Sequence, residues 1–155
     1  YFLVYVDDLL LVRNNTSFLC QFKTSLIAKF SLKDMGQLSH FLGVEIIPTT
    51  SGLFLTQHHY IKDLLQRANM TDSKPVSTPM ATSFSSNPVP DSTTYDSSLF
   101  RNIIASLHYL SITRPNVVFL VNKLAQHMQS LTALHMQALK RILRYLKSTI
   151  SWVAS

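Results

Sequence analysis

Apolar residues crowd the start of the chain. In YFLVYVDDLLLV, the runs Phe2 to Val6 and Leu9 to Val12 flank aspartates 7 and 8. This pattern predicts a β-hairpin with a two-residue Asp-Asp tip. Neither run alternates strictly, as expected of strands covered on both faces. The cluster Asn14-Asn15-Thr16-Ser17 then offers helix N-caps, and Leu19, Phe22, Leu26 and Phe30 recur near a helical period to about residue 30. Gly36 breaks the chain after SLKDM. HFLGVEII (40–47) and LFLTQ (53–57) read as the strands of a second hairpin, joined by PTTSG. In HHYIKDLLQRAN, Ile61, Leu64, Leu65 and Ala68 share one face of a short helix.

The pattern then changes. Residues 71–97 hold Pro75, Pro79, Pro88 and Pro90 among many Ser and Thr, and read as an extended linker. Beyond it the period is helical. Asp96 or Ser97 caps a helix carrying Ile103, Leu107 and Leu110, and TRP at 113–115 interrupts it. A helix through NVVFLVNKLAQHM follows, then one from Ala133 to Ser148. The fold class is therefore α+β: a mixed portion at 1–70, a linker at 71–97 and a basic helical portion at 98–155. No internal repeat is visible.

Length and an apolar fraction of 46% suit one ordinary core or part of a larger one, and argue against wholesale disorder. No apolar stretch reaches the ~20 residues that span a bilayer, and nothing at the start reads as a signal peptide, so no membrane partner is expected. An opening on Tyr1 and directly on a strand is expected of a piece of a longer chain. Cys20 is alone, which excludes a disulfide framework and a zinc cluster, and it reads as a small buried helix residue. The six histidines show no metal-ligand spacing and are expected at the surface or at helix starts, His58 and His59 on different faces. Glu45 is expected to take a structural hydrogen bond, and Trp152 to belong to a connection onward.

Charge is uneven. Residues 1–96 carry seven Lys/Arg and eight Asp/Glu, a net of −1; residues 97–155 carry seven Lys/Arg and no acid, a net of +7. A polyanion lying along the basic half and ending at the acid pair fits this asymmetry, as does a solvated basic surface. On the last helix, Leu139, Ile142, Leu143 and Leu146 form an apolar stripe. Lys140, Arg144 and Lys147 oppose it, with Arg141 at the flank: a face suited to tracking phosphates, or simply to solvent.

The acid pair carries the sharpest question. Two adjacent carboxylates repel each other and are costly to bury, and no cation is near in sequence before Arg13. They are either a solvated turn or a site for a hard cation such as magnesium, which takes one or two protein carboxylates and completes its shell with water and phosphate. A two-metal site needs at least one further carboxylate.

YVDD between apolar strands resembles the palm hairpin of reverse transcriptases. FSLKDMGQLSHFLGVEI, GLFLTQHHYIKDLLQRANM, KPVSTPM, FRNIIASLHYLSITRPNVVF and ALKRILRYLKST resemble successive blocks of copia-type retrotransposon polymerases, notably plant ones, along nearly the whole chain. The resemblance implies the C-terminal half of a palm followed by a thumb-like helical region. It implies template-directed DNA synthesis with magnesium (manganese as the substitute), deoxynucleoside triphosphates and an RNA or DNA template-primer. Asp7 and Asp8 would bind metal, with Tyr5 and Val6 lining the primer terminus. Leu42, Gly43 and Val44 would belong to a primer grip, where Gly43 allows close backbone approach or marks a strand bulge. Lys140, Arg141, Arg144 and Lys147 would contact nucleic-acid backbone. The helix from Phe100 to Leu110 would lie along the minor groove.

The resemblance places fingers and a further metal-binding Asp upstream and RNase H downstream, all parts of a Pol polyprotein. These residues alone are therefore expected to be inactive. A catalytically dead transposon remnant and a non-specific nucleic-acid-binding fragment are the alternative readings. Compartment follows only from the resemblance: cytoplasmic particles or the nucleus. Four positions depart from the family pattern: Ala105 and Ser148 where glycine is usual, Asn116 for an acid, and Met136 for tryptophan. Together they are what a copy drifting without selection would accumulate.

Overall fold

A computed structural model describes residues 1–81 and 95–150, so Trp152 lies outside the described residues. The architecture is α+β, and the chain divides into two units, Tyr1–Thr56 and Gln57–Ser155.

In the first unit, β1 (Phe2–Tyr5) and β2 (Asp8–Leu11) pair antiparallel with Phe2 opposite Leu11 and Tyr5 opposite Asp8. Backbone bonds between Tyr1 and Val12 extend the ladder, the amide of Val12 donating to the carbonyl of Tyr1 at 2.8 Å. Helix α1 (Thr16–Lys29) starts where the side chain of Asn15 accepts the Phe18 amide at 3.0 Å. It rests on the hairpin through an edge-on contact of Phe22 with Phe2, ring centres 5.7 Å apart. Phe18 stacks on Phe22, and the Arg13 guanidinium lies 3.8 Å from the Phe18 ring centre. No residue of α1 is buried, and Cys20, expected in a core, is exposed. Among the described residues, α1 rests on a two-stranded ribbon, too small a surface to bury a helix face. For the same reason the hairpin strands, expected to be covered on both faces, are largely open, Leu3 and Val4 being 50% and 62% exposed. After α1, Asp34 fastens the loop, accepting from Lys23 Nζ at 2.7 Å and from the Gly36 amide at 3.0 Å. Each partner favours the other's charge, so the Lys23 pKa is raised and that of Asp34 lowered.

The second sheet corrects the expected strand over 40–47. It has three strands, β3 (His40–Phe41), β4 (Val44–Thr49) and β5 (Gly52–Thr56), in antiparallel order. Leu42 and Gly43 both adopt positive φ, 51° and 70°, and turn the chain between β3 and β4. An apolar run thus hid a hairpin, because its turn contains no polar residue. β4 and β5 meet at a second tight turn, Thr49 opposite Gly52, with Thr49 Oγ1 donating to the Gly52 carbonyl at 3.0 Å.

The core lies in the second unit, among α2 (His58–Arg67), α3 (Ser97–Tyr109), α4 (Pro115–Ala125) and α5 (Ala133–Thr149). Each helix contributes a stripe at helical spacing: Ile61, Leu64 and Leu65; Phe100, Ile104 and Leu107; Val117, Leu120 and Leu124; Leu139, Ile142, Leu143 and Leu146. Helix α2 ends on Asn69 in the left-handed conformation, with the Met70 amide donating to the Leu65 carbonyl at 2.8 Å. Asp96 caps α3, accepting from the Ser98 and Leu99 amides, and Pro115 opens α4 where its missing N–H costs nothing. Arg114 donates to the Thr149 carbonyl at 3.1 Å, placing a cation at the negative end of α5. The two units meet at Thr56/Gln57, whereas the chemical pattern grouped 58–70 with the hairpins. The apolar face of α2 explains the division, since it is buried among helices of its own unit.

Candidate functional site

Register sets the geometry of the acid pair. Tyr5 and Asp8 pair directly, so the two-residue turn is Val6-Asp7, one position earlier than the Asp-Asp tip the pattern predicts. Asp7 sits at the turn and Asp8 begins β2. Val6 takes φ 47°, a left-handed conformation that costs a β-branched residue about 1–2 kcal/mol. Facing residues in a ribbon share a side, so Tyr5 and Asp8 lie on the face with Leu3 and Leu10, opposite the face whose Phe2 meets α1. Both carboxylates are exposed, and among the described residues neither makes an ion pair. Burial therefore imposes no cost on them in this chain.

These are hard oxygen donors without a protein cation to satisfy them, which suits magnesium. Among the described residues, however, no group of three or more His, Cys, Asp or Glu side chains is placed to hold a metal. Asp7 and Asp8 fit part of a magnesium shell, with the remainder to come from water, phosphate or other protein.

Leu42, Gly43 and Val44 form the tip and first strand residue of the β3–β4 hairpin. Gly43 is the second residue of a tight turn, which corrects the strand-bulge alternative and gives its glycine a backbone reason. Glu45 lies in β4 opposite Thr56 and His40, and it has an interaction partner.

On α5 the apolar stripe is buried as the spacing requires, but the opposite side is only partly open. Lys140 is exposed. Arg141 donates to Thr78, from Nε to the carbonyl at 3.2 Å and from Nη2 to the hydroxyl at 2.8 Å. Arg144 Nε donates to the Lys74 carbonyl at 2.5 Å, and Lys147 donates to the carbonyls of Thr71 and Ser73. Residues 71–78, part of the expected extended linker, are therefore strapped along α5.

The four departures from the family pattern have defined places. Ala105 is exposed on α3, with Arg101, Asn102 and His108 exposed on the same side. Ser148 donates to the Val76 and Tyr145 carbonyls, each at 2.7 Å. The amide of Asn116 donates to the Tyr145 hydroxyl, and Met136 packs against the core.

One histidine stands at a helix start, as expected, but buried. His135 is 1% exposed, the third residue of α5, and its Nδ1 accepts the Thr132 amide at 3.3 Å. Its ring stacks on His127 with centres 4.3 Å apart, and Nε2 is buried. Burial, and then the neighbouring His127, push its pKa below the usual histidine value. A Thr-x-x-His cap was the available signal, a variant of the Ser/Thr-x-x-Glu/Gln box.

The family described as Reverse transcriptase (RNA-dependent DNA polymerase) matches residues 2–82. A retrovirus-related Pol polyprotein from transposon RE1 of Arabidopsis thaliana is 46% identical over 154 residues, covering 96% of this chain and 10% of that protein. One from transposon TNT 1-94 of Nicotiana tabacum is 33% identical, covering 95% of this chain and 12% of that protein. An uncharacterised mitochondrial protein of Arabidopsis thaliana is 41% identical over 150 residues, 97% of this chain and 62% of that protein. The chain thus spans about a tenth of the Pol polyproteins it matches. No solved structure matches it.

Proposed function

The chain belongs to the reverse transcriptase (RNA-dependent DNA polymerase) family, as a fragment of plant retrotransposon type, and from that premise we propose that it supplies the metal-binding hairpin, a primer-positioning hairpin and a helical nucleic-acid-binding region to template-directed DNA synthesis. The observation that carries this reading is the hairpin tip. Two exposed carboxylates without counter-ions follow a strained Val6, an arrangement that leaves their oxygens available to divalent metal.

Asp7 and Asp8 would hold magnesium, or manganese in its place, which when bound steadies the charge of a transferring phosphoryl group. The chain's own residues otherwise act by position. Tyr5 shares the Asp8 face and Val6 adjoins it, so both would form the floor under a primer end. Leu42, Gly43 and Val44 make a narrow tip that presents backbone, with little side-chain bulk at Gly43, to a strand held for attack. In this reading 1–56 is part of a palm, the helices of 57–150 are thumb-like, and deoxynucleoside triphosphates and a template-primer are the substrates. Fingers and RNase H would come from the rest of a Pol polyprotein.

Two carboxylates make an incomplete two-metal site, so the 155 residues alone are expected not to polymerise. Primer extension on the purified chain tests this, and template-dependent incorporation that Asp7→Asn abolishes would overturn it. A second reading is favoured by the absence of any acid in 97–155: a catalytically silent chain that binds nucleic acid without sequence preference. Its affinity would fall steeply with salt, and a flat salt response removes it.

A further inference from the structure

The strap over α5 bears on which cations meet nucleic acid. Deepening the binding role proposed above, and resting on it, we propose that Arg141, Arg144 and Lys147 are positioning residues that fasten residues 71–78 to α5, while Lys140 is the residue of this helix that contacts phosphate. The four cations are close in sequence and chemically alike, yet their surroundings differ. Arg141 is held at Thr78, Arg144 at Lys74, and Lys147 at Thr71 and Ser73. Neutral contacts continue the same seam: Ser148 Oγ donates to the Val76 carbonyl at 2.7 Å, and the Val76 amide donates to the Arg144 carbonyl at 3.4 Å. The strap thus meets α5 at regular intervals over two helical turns. Lys140 stands outside the seam and is exposed; it lines, together with Arg141, Arg144, Pro79 and Met80, a cavity of about 450 Å³ at the end of the strap.

The chemistry supports this division of labour. Strap carbonyls are acceptors without N–H partners in a sheet or helix, and cationic donors satisfy them with bonds stronger than neutral ones. A phosphate approaching Arg144 or Lys147 meets a side chain already tethered to those carbonyls, whereas Lys140 is held by none of them. Carbonyls do not neutralise charge, so the seam still contributes to the positive field that attracts a polyanion. Contact and field are then supplied by different residues.

The test uses the whole chain, a duplex oligonucleotide and two measurements: the slope of log affinity against log salt, and hydrogen exchange over residues 71–78. Lys140→Gln is expected to reduce the slope by about 0.9, the value for one phosphate contact, and to leave strap exchange unchanged. Arg144→Gln is expected to raise strap exchange about fivefold, the equivalent of one net hydrogen bond, and to lower the slope by much less than Lys140→Gln does, through the loss of field alone. Ser148→Ala, which alters no charge, should raise strap exchange likewise, and it keeps the proposal testable if Arg144→Gln does not fold. A fall in slope on Arg144→Gln or Arg141→Gln comparable to that on Lys140→Gln overturns the proposal, as does strap exchange unmoved by both Arg144→Gln and Ser148→Ala. If the unaltered chain shows no salt-dependent binding, the nucleic-acid reading fails and Lys140 loses its assignment, while strap exchange still decides the clamp.

Discussion

His135 shows what a single side chain can contribute at the residue scale. Its Nδ1 accepts the Thr132 amide at the start of α5, which requires the neutral ring, and burial beside His127 opposes protonation. With the folded pKa depressed below the unfolded value, stability is fully present above about pH 6.5 and is lost as pH falls toward the folded pKa. The thermal midpoint is therefore expected to be lower at pH 5.5 than at pH 7.5, and His135→Gln, which keeps a side chain able to cap at that position, should lessen the difference. An unaltered pH response in that variant would dissociate it from His135. Asp7 and Asp8 show the opposite case: exposed and without a protein counter-ion, they have no structural role that substitution would damage. Asp7→Asn is expected to leave the thermal midpoint unchanged while weakening magnesium binding measured by calorimetry on the same chain. The departures at Asn116 and Ser148 sit differently from what drift alone suggests, because each makes a hydrogen bond that joins α5 to a neighbouring segment.

Among elements, the helices were legible in the sequence because their apolar spacing is regular and their ends carry chemistry: Asn15, Asp96 and Pro115 all stand where the pattern places a helix start. The turns were less legible. Register decided Val6-Asp7 over Asp7-Asp8, and Leu42-Gly43 turns inside an apolar run without a polar residue to announce it. The extended segment was legible from its prolines, but its attachment to α5 was not, since the carbonyls that bind Arg144 and Lys147 are backbone and carry no sequence signal. The turn at 42–43 makes a direct prediction. Leucine at φ 51° is disfavoured relative to asparagine, which tolerates that conformation, so Leu42→Asn should stabilise the β3–β4 hairpin by up to about 1 kcal/mol. Gly43→Val should destabilise it by about 1–2 kcal/mol. Amide exchange of Ile46, whose N–H donates to the Ser39 carbonyl, reports both changes, and equal exchange in the two variants would contradict the turn assignment.

For the whole molecule, the uneven distribution of burial decides how it unfolds. Every residue of the hydrophobic core among the described residues belongs to Gln57–Ser155, and α1 of the other unit buries nothing. Burial of apolar surface drives cooperativity, so the helical unit should unfold as one transition. A two-stranded ribbon and a small three-stranded sheet with open faces have little to oppose local opening. Hydrogen exchange is therefore expected to separate the chain into a protected class on Ile61, Ile104, Leu120 and Leu143 and a weakly protected class on β1, β2 and α1. The open faces have a second consequence. Phe2, Leu3, Val4, Tyr5 and Leu9 are each more than two-fifths exposed on a ribbon that pairs with no further strand among the described residues. The isolated chain should bind an apolar dye and self-associate as concentration rises. Replacing Leu3 and Val4 by Thr should reduce both effects and leave the melting of the helices in place, because neither residue contributes to that core. If the double variant instead lowered the helical transition, the two units would be energetically one, and an open ribbon could not be the cause of association.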